Sequence, residues 1–385
     1  MPRLFLGNFD FEHRLAEPLR ETPAKLQRLN AELATAWLSI ADDGDWIWTP
    51  SPIDVEFFQR AVQNGLPQVI PVTSFSAVRA GVECVPWGWT PDVRRLAERY
   101  GWNANAPADA AVRLANSRAT SDELERQWNV GLEQSRRIES LEELHTAIRS
   151  LNHADDRWVV KAEFGMSARE RILGRGRMTA ADENWVRKRV ATIGAVFFEP
   201  WVKRIGEVGI QIEIPQSGPP HLIGVTPMLV DARGQYAGSW FAFDDSRFPS
   251  ERALWSEAVE IALRAANHLQ SSGYFGPLGA DAMVYRDESG VSRIRPLQDI
   301  NARWTMGRLS LGWKKLLEPE DEGCWQHSAT NNTFAVEHFA PTRTVRTSPD
   351  LVGRTACQHQ SRLLIQSPAN HESLPRPEVP AVPMA

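Results

Sequence analysis

The spacing of hydrophobic and polar residues alternates between two periods over the first hundred or so residues. Apolar segments such as RLFLGNF and DWIW have the pattern of strands. Leu26, Leu29 and Leu33 recur at helical spacing within residues 23 to 40. Strands that alternate with helices are typical of an open parallel sheet. The pattern therefore predicts a small Rossmann-like α/β domain at the beginning of the chain.

A different pattern follows Asn116. The segment SLEELHTAIRSL combines a capping box, Ser140 with Glu143, with an apolar helical face. RWVVK and AVFFE are short apolar strands, and alternating strands with Gly and Pro turns come after them. A long helix is predicted from about Ser250 to Ser272, and GADAMVY and RIRPLQDI then form a hairpin. We therefore expect an α+β arrangement in this part of the chain.

The hydrophobic pattern thins out in the C-terminal extension, residues 319–385. The end of this extension, SPANHESLPRPEVPAVPMA, is rich in proline and poor in large apolar side chains. It has too little apolar surface to offset the entropy that ordering would cost. This end of the chain is therefore predicted to be disordered.

Composition and charge exclude several kinds of partner. The formal net charge of -5 and the pI near 6.0 give no electrostatic reason to expect binding to nucleic acid or to an anionic membrane. The N-terminal residues MPRLFLGNFDFEHRL resemble neither a signal peptide nor a membrane span. Cys84, Cys324 and Cys357 lie far apart without CxxC spacing, which favours a reducing cytoplasm. No predicted strand is followed by Gly-x-Gly-x-x-Gly, so a dinucleotide site is not indicated.

Two groups of aromatic residues could either pack in the core or contact a ligand. The first flanks the loops DWIWTP and PWGWTP and consists of Trp46, Trp48, Trp87 and Trp89. The second could line an acceptor pocket and hold an amine, and consists of Trp240, Phe241, Phe243, Asp244 and Asp245. Packing is the expected role of both groups, because an aromatic ring buries a large apolar area.

The segment RPLQDINARWTMG ends a predicted strand with polar side chains. Residues two apart in a strand point to the same face, so Asp299, Asn301 and Arg303 would form one row. Carboxylate and amide oxygens suit magnesium, and arginine suits phosphate. The alternative is a polar strand end that only meets solvent. Pro296 indicates an edge strand or a bulge, so spacing leaves open whether Asp281 faces Asp299.

Lys161 and the turn that follows it are candidates for phosphate binding. Lys161 interrupts the apolar strand WVVKA, where it must reach solvent or pair with a negative group. The turn GMSARER offers backbone N–H groups and the Ser167 hydroxyl, which is how flexible loops hold phosphates. It lacks the Gly-Lys-Ser ending of a Walker loop. Either feature alone is also compatible with an ordinary solvated surface.

Two acids lie on either side of a predicted bend. Glu199 ends the strand AVFFE, and Glu207 follows eight residues later. Pro200 has no N–H group, so a backbone donor that reads a base edge at this bend would be Trp201 or Val202. Separately, each of these residues could be an ordinary surface residue.

Taken in order along the chain, these candidates resemble the ATP-grasp superfamily, specifically its carboxylate-amine ligases, over roughly residues 112 to 316. The resemblance lies in NSRAT, VVK, EFGMSAR, FFEPWV, GPLGADAMVY and DINAR. It implies a Rossmann-like pre-ATP-grasp domain over residues 1–115 and an ATP-grasp domain with antiparallel sheets over residues 116–318. Two subdomains would cover about 116–200 and 201–318, followed by the extension 319–385.

The resemblance also implies a role for each candidate residue. Arg118 stands where a lysine is more usual, and Asp299 where a glutamate is more usual. A mobile loop would close over the phosphates, Glu199 would lie near the adenine amino group, and Glu207 would contact the ribose. The residues implied to bind ATP are Arg118, Lys161, Ser167, Glu199, Trp201, Val202 and Glu207. The implied magnesium ligands are Asp281, Asp299 and Asn301, and the implied catalytic residues are Arg303 and Lys161.

The implied activity is an ATP-dependent ligation with ATP and Mg²⁺ as cofactors. A small-molecule carboxylate would be phosphorylated to an acyl phosphate, and a small-molecule amine would displace the phosphate, with release of ADP. A kinase of a small hydroxyl substrate and a non-catalytic nucleotide-binding or scaffold protein are the alternatives, because the same fold can serve both. Nothing in the sequence identifies the acid, the amine or the oligomeric state.

Overall fold

A computed structural model describes residues 1–18, 21–151, 156–165, 170–231, 234–244, 249–329 and 340–367. Ser167 and all but the first residue of the proline-rich end lie outside these ranges. In the described residues, no helix is long and apolar enough to cross a membrane.

The N-terminal part forms the predicted Rossmann-like domain. Its four strands are parallel, in the order β3-β2-β1-β4. The strands are β1 (Arg3–Leu6), β2 (Trp46–Trp48), β3 (Ile70–Val72) and β4 (Glu83–Pro86). The helices are α1 (Phe11–Ala16), α2 (Ala24–Leu33), α3 (Val55–Gln63), α4 (Pro91–Tyr100) and α5 (Asp109–Ala115), with 3-10 turns at Ala34–Ser39 and Phe75–Ala77. The alternation of strands and helices expected from the sequence is confirmed.

Local sequence signals fix the ends of α4. At α4, the Thr90 hydroxyl accepts the Val93 N–H at 3.4 Å, Pro91 opens the helix, and Gly101 ends it in the left-handed region with φ of 66°. Pro91 needs no N–H partner in the first turn, and glycine adopts this φ without a Cβ clash. These signals give α4 both of its ends.

The second unit is a small antiparallel sheet covered by helices. Its strand order is β5-β8-β6-β7. The strands are β5 (Arg136–Ile138), β6 (Arg157–Lys161), β7 (Arg171–Arg175) and β8 (Val196–Pro200). The helices are α6 (Arg118–Trp128), α7 (Leu141–Arg149) and α8 (Ala180–Ile193). Trp158, Val186 and Phe198 form the centre of its separate hydrophobic core.

The predicted capping box at α7 forms only in part. The Ser140 hydroxyl accepts the Glu143 N–H at 3.2 Å. The Glu143 carboxylate accepts the N–H of Glu139 at 2.8 Å, one residue before the expected Ser140. The backbone N–H of Glu139, just before the helix, thereby gains a hydrogen-bond partner.

The third unit is an eight-stranded sheet in the order β13-β12-β9-β10-β11-β14-β18-β15. Its strands are β9 (Lys203–Ile214), β10 (His221–Val230), β11 (Tyr236–Ala242), β12 (Gly276–Arg286), β13 (Ser292–Asn301), β14 (Glu322–Ala329), β15 (Arg343–Arg346) and β18 (His359–Gln366). A separate hairpin pairs β16 (Leu351–Val352) with β17 (Thr355–Ala356). The helices α9 (Pro249–Ser271) and α10 (Met306–Gly312) and a 3-10 turn at Trp313–Leu316 accompany this sheet.

Strands from the C-terminal extension complete this large sheet. β11 pairs with β14, β14 with β18, and β18 with β15, all antiparallel. The sequence pattern assigned no elements to these residues. The domain boundaries expected at residues 115 and 318 stay predictions.

The two larger units share one hydrophobic core. Trp37 of the N-terminal part contacts Trp304 with ring centroids 5.6 Å apart, and Trp313 contacts Trp325 at 5.5 Å. The small side chains Ala258, Ala262, Ala265 and Ala266 bring α9 close to this core. Close packing of rings and small side chains fixes the N-terminal domain against the large sheet.

The aromatic residues of the first loop group pack as expected. Trp48 stacks on Phe75 at 5.1 Å, and Trp87 lies 4.7 Å from Phe9. In the second group, Phe241 is buried and Phe243 is exposed. Asp245 lies outside the described residues.

Candidate functional site

A cavity of about 460 Å³ opens where the N-terminal domain, the small sheet and the large sheet meet. Its polar wall contains many of the residues that the sequence singled out. They are Arg118, Lys161, Glu207, Asp281, Asp299, Asn301 and Arg303. Glu199, Trp201 and Val202 do not line this cavity, and Ser167 lies outside the described residues.

The hairpin of β12 and β13 places two carboxylates side by side. Asp281 pairs directly with Asp299 across the two strands, which answers the question that spacing left open. Cross-strand partners project from the same face of a sheet. The register shifts between Asp281 and Met283, opposite the part of β13 that contains Pro296. β13 is also an edge strand, so both features that this proline indicated are present.

Asn301 joins this pair of carboxylates. Its Nδ2 donates to Asp281 Oδ2 at 3.1 Å. Burial, together with the neighbouring negative charges of Asp299 and Glu207, raises the pKa of Asp281 to about 7. A cation placed between these side chains would relieve that repulsion.

The donor set suits a magnesium ion that shares its shell with phosphates. In the described part of the chain, no three His, Cys, Asp or Glu side chains are grouped to hold a metal ion. Two carboxylates and an amide are nevertheless what Mg²⁺ uses when substrate phosphates and water supply its other ligands. Asp281, Asp299 and Asn301 therefore fit magnesium as part of a nucleotide complex, and not as a closed protein cage.

Arg118 contacts the proposed metal ligands from the other side of the cavity. It begins α6, where the Ser117 hydroxyl caps the helix by accepting the Ala119 N–H at 3.2 Å. Its guanidinium donates to Asp299 Oδ2 at 3.0 Å and to the Ala162 carbonyl at 3.2 Å. Arg118 thus bridges the end of β6 and the end of β13.

Lys161 is paired with a buried acid. Its Nζ lies 2.8 and 2.7 Å from the two carboxylate oxygens of Glu199. Burial lowers the pKa of Lys161, and the charge of Glu199 opposes that change. The sequence left open whether this lysine reaches solvent or pairs with a negative group, and the structure pairs it.

Sequence reasoning missed the residue that completes this network. Arg295 on β13 is 2% exposed and lies between two glutamates. It contacts Glu125 of α6 at 2.6 and 2.7 Å and Glu199 at 3.1 and 3.2 Å. Burial disfavours the charge on Glu199, but Arg295 and Lys161 outweigh it and hold its pKa below the usual range. An arginine inside the apolar run RIRPLQ was the available signal.

The acid predicted to contact the ribose also has a cationic partner. Glu207 is 7% exposed, and Arg204 donates to it at 2.7 Å. Arg204 also lies 4.5 Å from the centre of the Trp201 ring, and Arg157 and Arg171 approach the same ring at 5.7 and 6.0 Å. This end of the site is therefore rich in arginine, which the sequence analysis did not note.

Arg303 links Asn301, at the end of β13, to the N-terminal domain. It donates to Asn301 Oδ1 at 2.9 Å, to the Trp304 carbonyl at 2.8 Å and to Glu12. Its guanidinium also lies 5.1 Å from the centre of the Trp87 ring. Glu12 was not a candidate in the sequence, because nothing near residue 12 marks it as close to β13.

Apolar side chains also line the cavity. Leu29, Leu33 and Trp87 line it from the N-terminal domain, and Met228 and Met306 line it from the large sheet and α10. The aromatic residues of GSWFAF do not contribute, because neither Trp240 nor Phe243 lines this cavity. The acceptor pocket that these aromatic residues could have lined is therefore not part of this cavity.

Comparison with solved structures supports the fold. A scan against protein-family models found no match, and a search of curated proteins found none either. Among solved structures, biotin carboxylase from Campylobacter jejuni, crystallised as a β-γ-ATP complex, superposes with a TM-score of 0.55 at 9% identity, covering 95% of this chain and 87% of that one.

Two more solved structures are similar over nearly the whole chain. The biotin carboxylase domain of 2-oxoglutarate carboxylase from Hydrogenobacter thermophilus, with MgADP, ADP and bicarbonate, gives a TM-score of 0.52 at 13% identity over 95% of this chain and 86% of that one. An ADP complex of N5-carboxyaminoimidazole ribonucleotide synthetase gives 0.50 at 12% identity over 95% and 92%. At such identities the likeness shows the fold alone. The chain has the ATP-grasp fold, preceded by a Rossmann-like domain, as the sequence predicted.

Proposed function

We propose that this protein is an ATP-dependent ligase that joins a carboxylate to an amine through an acyl phosphate. The observation that carries the proposal is the cross-strand pair of Asp281 and Asp299, with Asn301 beside it, in a cavity that also holds Lys161 and Arg118. Oxygen ligands next to cationic side chains are what a magnesium nucleotide requires. Neighbours of the same fold solved with ADP or MgADP support the assignment of ATP and Mg²⁺.

We assign the magnesium ion to Asp281, Asp299 and Asn301. When bound, Mg²⁺ supplies positive charge between phosphate oxygens and orients them. The Asn301 oxygen accepts one bond from Arg303 at 2.9 Å, and an amide oxygen has a second lone pair for a metal. Arg118, which contacts Asp299 at 3.0 Å, is close enough to exchange that carboxylate for a phosphate oxygen.

The remaining nucleotide contacts are assigned from the hinge and from Lys161. The Trp201 N–H donates to the Arg157 carbonyl at 2.9 Å, so Val202 is our candidate for the backbone donor to adenine. Glu207 is assigned to the ribose, with Arg204 orienting its carboxylate. The contact predicted between Glu199 and the adenine amino group remains a proposal.

The bonds of Glu199 support a further role, which is to hold Lys161. Its two oxygens receive bonds from Lys161 Nζ and from Arg295, so the carboxylate is fixed on both sides. A fixed carboxylate positions the ammonium at the end of β6, at the wall of the cavity. From there Lys161 is assigned to the transferred phosphoryl group.

The proposed reaction has two steps. In the first, a carboxylate oxygen of the acid substrate attacks the γ-phosphorus, the bond to the β-phosphate oxygen breaks, and ADP leaves. In the second, the amine nitrogen attacks the acyl carbon, the bond from that carbon to the phosphate oxygen breaks, and a proton leaves the nitrogen. The side chains position the reactants and stabilise charge, and none of them forms a covalent bond.

Arg303 is the residue assigned to stabilise the reacting groups. Its contacts with Glu12, Asn301 and the Trp304 carbonyl use only part of the N–H donors of a guanidinium. The remaining donors can bind a phosphoryl oxygen or the oxygen of the tetrahedral intermediate. Held by partners from two domains, this side chain loses little freedom when substrate binds.

Formation of ADP by the Asn301→Ala variant tests the proposed function. We expect wild-type protein to release ADP only when a carboxylate and an amine are both present, and the variant to release none while keeping its circular dichroism spectrum. Undiminished turnover in the variant would remove Asn301 from the metal site. Release of ADP with an alcohol alone would favour the kinase alternative.

The proposed partners are small molecules. The cavity of about 460 Å³ suits a nucleotide and small substrates and not a macromolecule. We place the enzyme in the cytoplasm, because the cysteines Cys84 and Cys324 are buried and form no disulfide, which fits a reducing compartment.

A further inference from the structure

One buried carboxylate in the cavity is only half satisfied. Glu12, on the first turn of α1, is 6% exposed. Its Oε1 accepts from Arg303 Nε, whereas its Oε2 is shielded from solvent and has no hydrogen-bond partner among the described residues. A buried acceptor without a partner is unfavourable, and more so when it is charged. Such an atom is ready to accept a bond from a ligand.

The surroundings of Glu12 restrict what that ligand can be. The cavity that Glu12 lines also contains apolar side chains, among them Phe9, Leu29, Leu33, Trp87 and Met306. A ligand that contacts both kinds of residue presents a hydrocarbon surface to these side chains and an N–H donor to Glu12. An aliphatic body combined with an ammonium or amine group meets both conditions.

Glu12 also lies next to the proposed phosphate site. One side chain, Arg303, contacts Glu12 through Nε and Asn301 Oδ1 through Nη2 at 2.9 Å. A nitrogen bound to Glu12 Oε2 is therefore separated from Asn301, a proposed magnesium ligand, by the guanidinium of Arg303 alone. The amine of the second reaction step would then lie beside Arg303, the residue assigned to the reacting groups.

We propose that Glu12 binds the amine substrate, and that this substrate is a primary amine with an apolar body. The inference rests on the proposed function, since it names the substrate class of the same site. A carboxylate is disfavoured at this position because Glu12 would repel it, and because Arg303 is already partly neutralised by Glu12. The acid substrate is therefore excluded from this end of the cavity.

Isothermal titration calorimetry with matched probes tests this inference. The probes are 3-methylbutylamine, 3-methylbutanol and 3-methylbutanoate, which share a branched apolar body and differ in the charge of the head group. Each is titrated into the full chain in the presence of magnesium and a nonhydrolysable ATP analogue. We expect the amine to bind at least tenfold more tightly than the alcohol, and the carboxylate to bind least.

The Glu12→Gln variant gives the decisive comparison. Glutamine keeps an oxygen for Arg303 but carries no charge for an ammonium, so amine affinity should fall at least tenfold while binding of the ATP analogue persists. Glu56→Gln, whose side chain is 73% exposed on α3, is the control and should bind like the wild type. Equal binding of amine and alcohol, or unchanged amine binding in Glu12→Gln, would overturn the inference and leave the proposed function standing. No binding of the ATP analogue by the wild type would overturn the proposed function, and this inference with it.

Discussion

At the scale of single residues, the site depends on a buried network of two acids and two cations. Arg295 lies between Glu125 and Glu199, and Lys161 contacts Glu199 from its other side. Such a network stabilises a fold only when every charge keeps its partner, because desolvation costs nearly as much as the attraction returns. Removal of one member therefore has a larger effect than any surface ion pair.

The Arg295→Met variant should be strongly destabilised. Methionine fills part of the space but leaves the buried Glu125 without its partner and Glu199 with Lys161 alone, which should lower the free energy of unfolding by about 3–5 kcal/mol. Urea denaturation measures the change. Arg293→Met is the matched control on the same strand, since the Arg293 side chain is 60% exposed, and its midpoint should stay near that of the wild type. Equal midpoints for the two variants would show that the network contributes nothing.

The network also predicts how stability depends on pH. The pKa of Glu199 is lower in the folded chain than in the unfolded chain, where it is about 4.3. Its contribution is therefore complete above that unfolded value and is lost as the pH falls below it. Glu199→Gln should be less stable at pH 7 but should lose less stability between about pH 5 and pH 3 than the wild type. Parallel curves of unfolding free energy against pH for the two proteins would refute this role.

At the scale of elements, the hairpin of β12 and β13 carries both Arg295 of the buried ion network and the proposed magnesium ligands Asp281, Asp299 and Asn301. Pairing runs from Met283 with Arg295 to Asp281 with Asp299, so β13 advances four residues while β12 advances two. The extra residues include Pro296, which donates no ladder bond. Arg295 and Asp299 lie four residues apart on β13, and both contact side chains of the second unit, namely Glu199 and Arg118.

A second element-scale feature is the close packing of β6 on β7. Trp158 is 1% exposed, pairs with Gly174, and covers it so closely that a Cβ at Gly174 would lie 2.0 Å from the ring. Gly174→Ala should therefore lower the free energy of unfolding by about 1–3 kcal/mol in urea denaturation. Gly206→Ala on β9 is the control, because a Cβ there meets nothing within 4 Å. A Gly174→Ala variant as stable as this control would contradict the packing described.

The sequence specified local structure better than long-range structure. β1, β2, α9 and the β12–β13 hairpin were predictable because each carries its own periodicity and end signals. The ion network was not, because Glu125 and Arg295 are 170 residues apart and neither stands out locally. β14, β15 and β18 were missed for a related reason, since they are stabilised by pairing within a sheet that begins far away in the chain.

At the scale of the whole molecule, three units meet at one cavity. Asn116 accepts the Ala302 N–H at 3.0 Å, and Trp304 N–H donates to the Trp87 carbonyl at 3.0 Å, so the end of β13 is tied to residues on both sides. Arg303 adds the contact with Glu12. The proposed magnesium ligands Asp281, Asp299 and Asn301 are therefore held between the N-terminal domain and the small sheet. Ligand binding there should stabilise the entire fold.

Thermal unfolding with ATP, with and without magnesium, tests the central claim most directly. The wild type and an Asp281→Asn, Asp299→Asn double variant are compared, each with ATP plus Mg²⁺ and with ATP plus a chelator. At about a hundred times its dissociation constant, a ligand should stabilise the wild type by roughly 2.7 kcal/mol, and we expect this gain to need magnesium. The variant should lose the magnesium-dependent part and still unfold cooperatively. No gain in the wild type, or the same magnesium-dependent gain in the variant, would contradict a magnesium nucleotide site at Asp281 and Asp299.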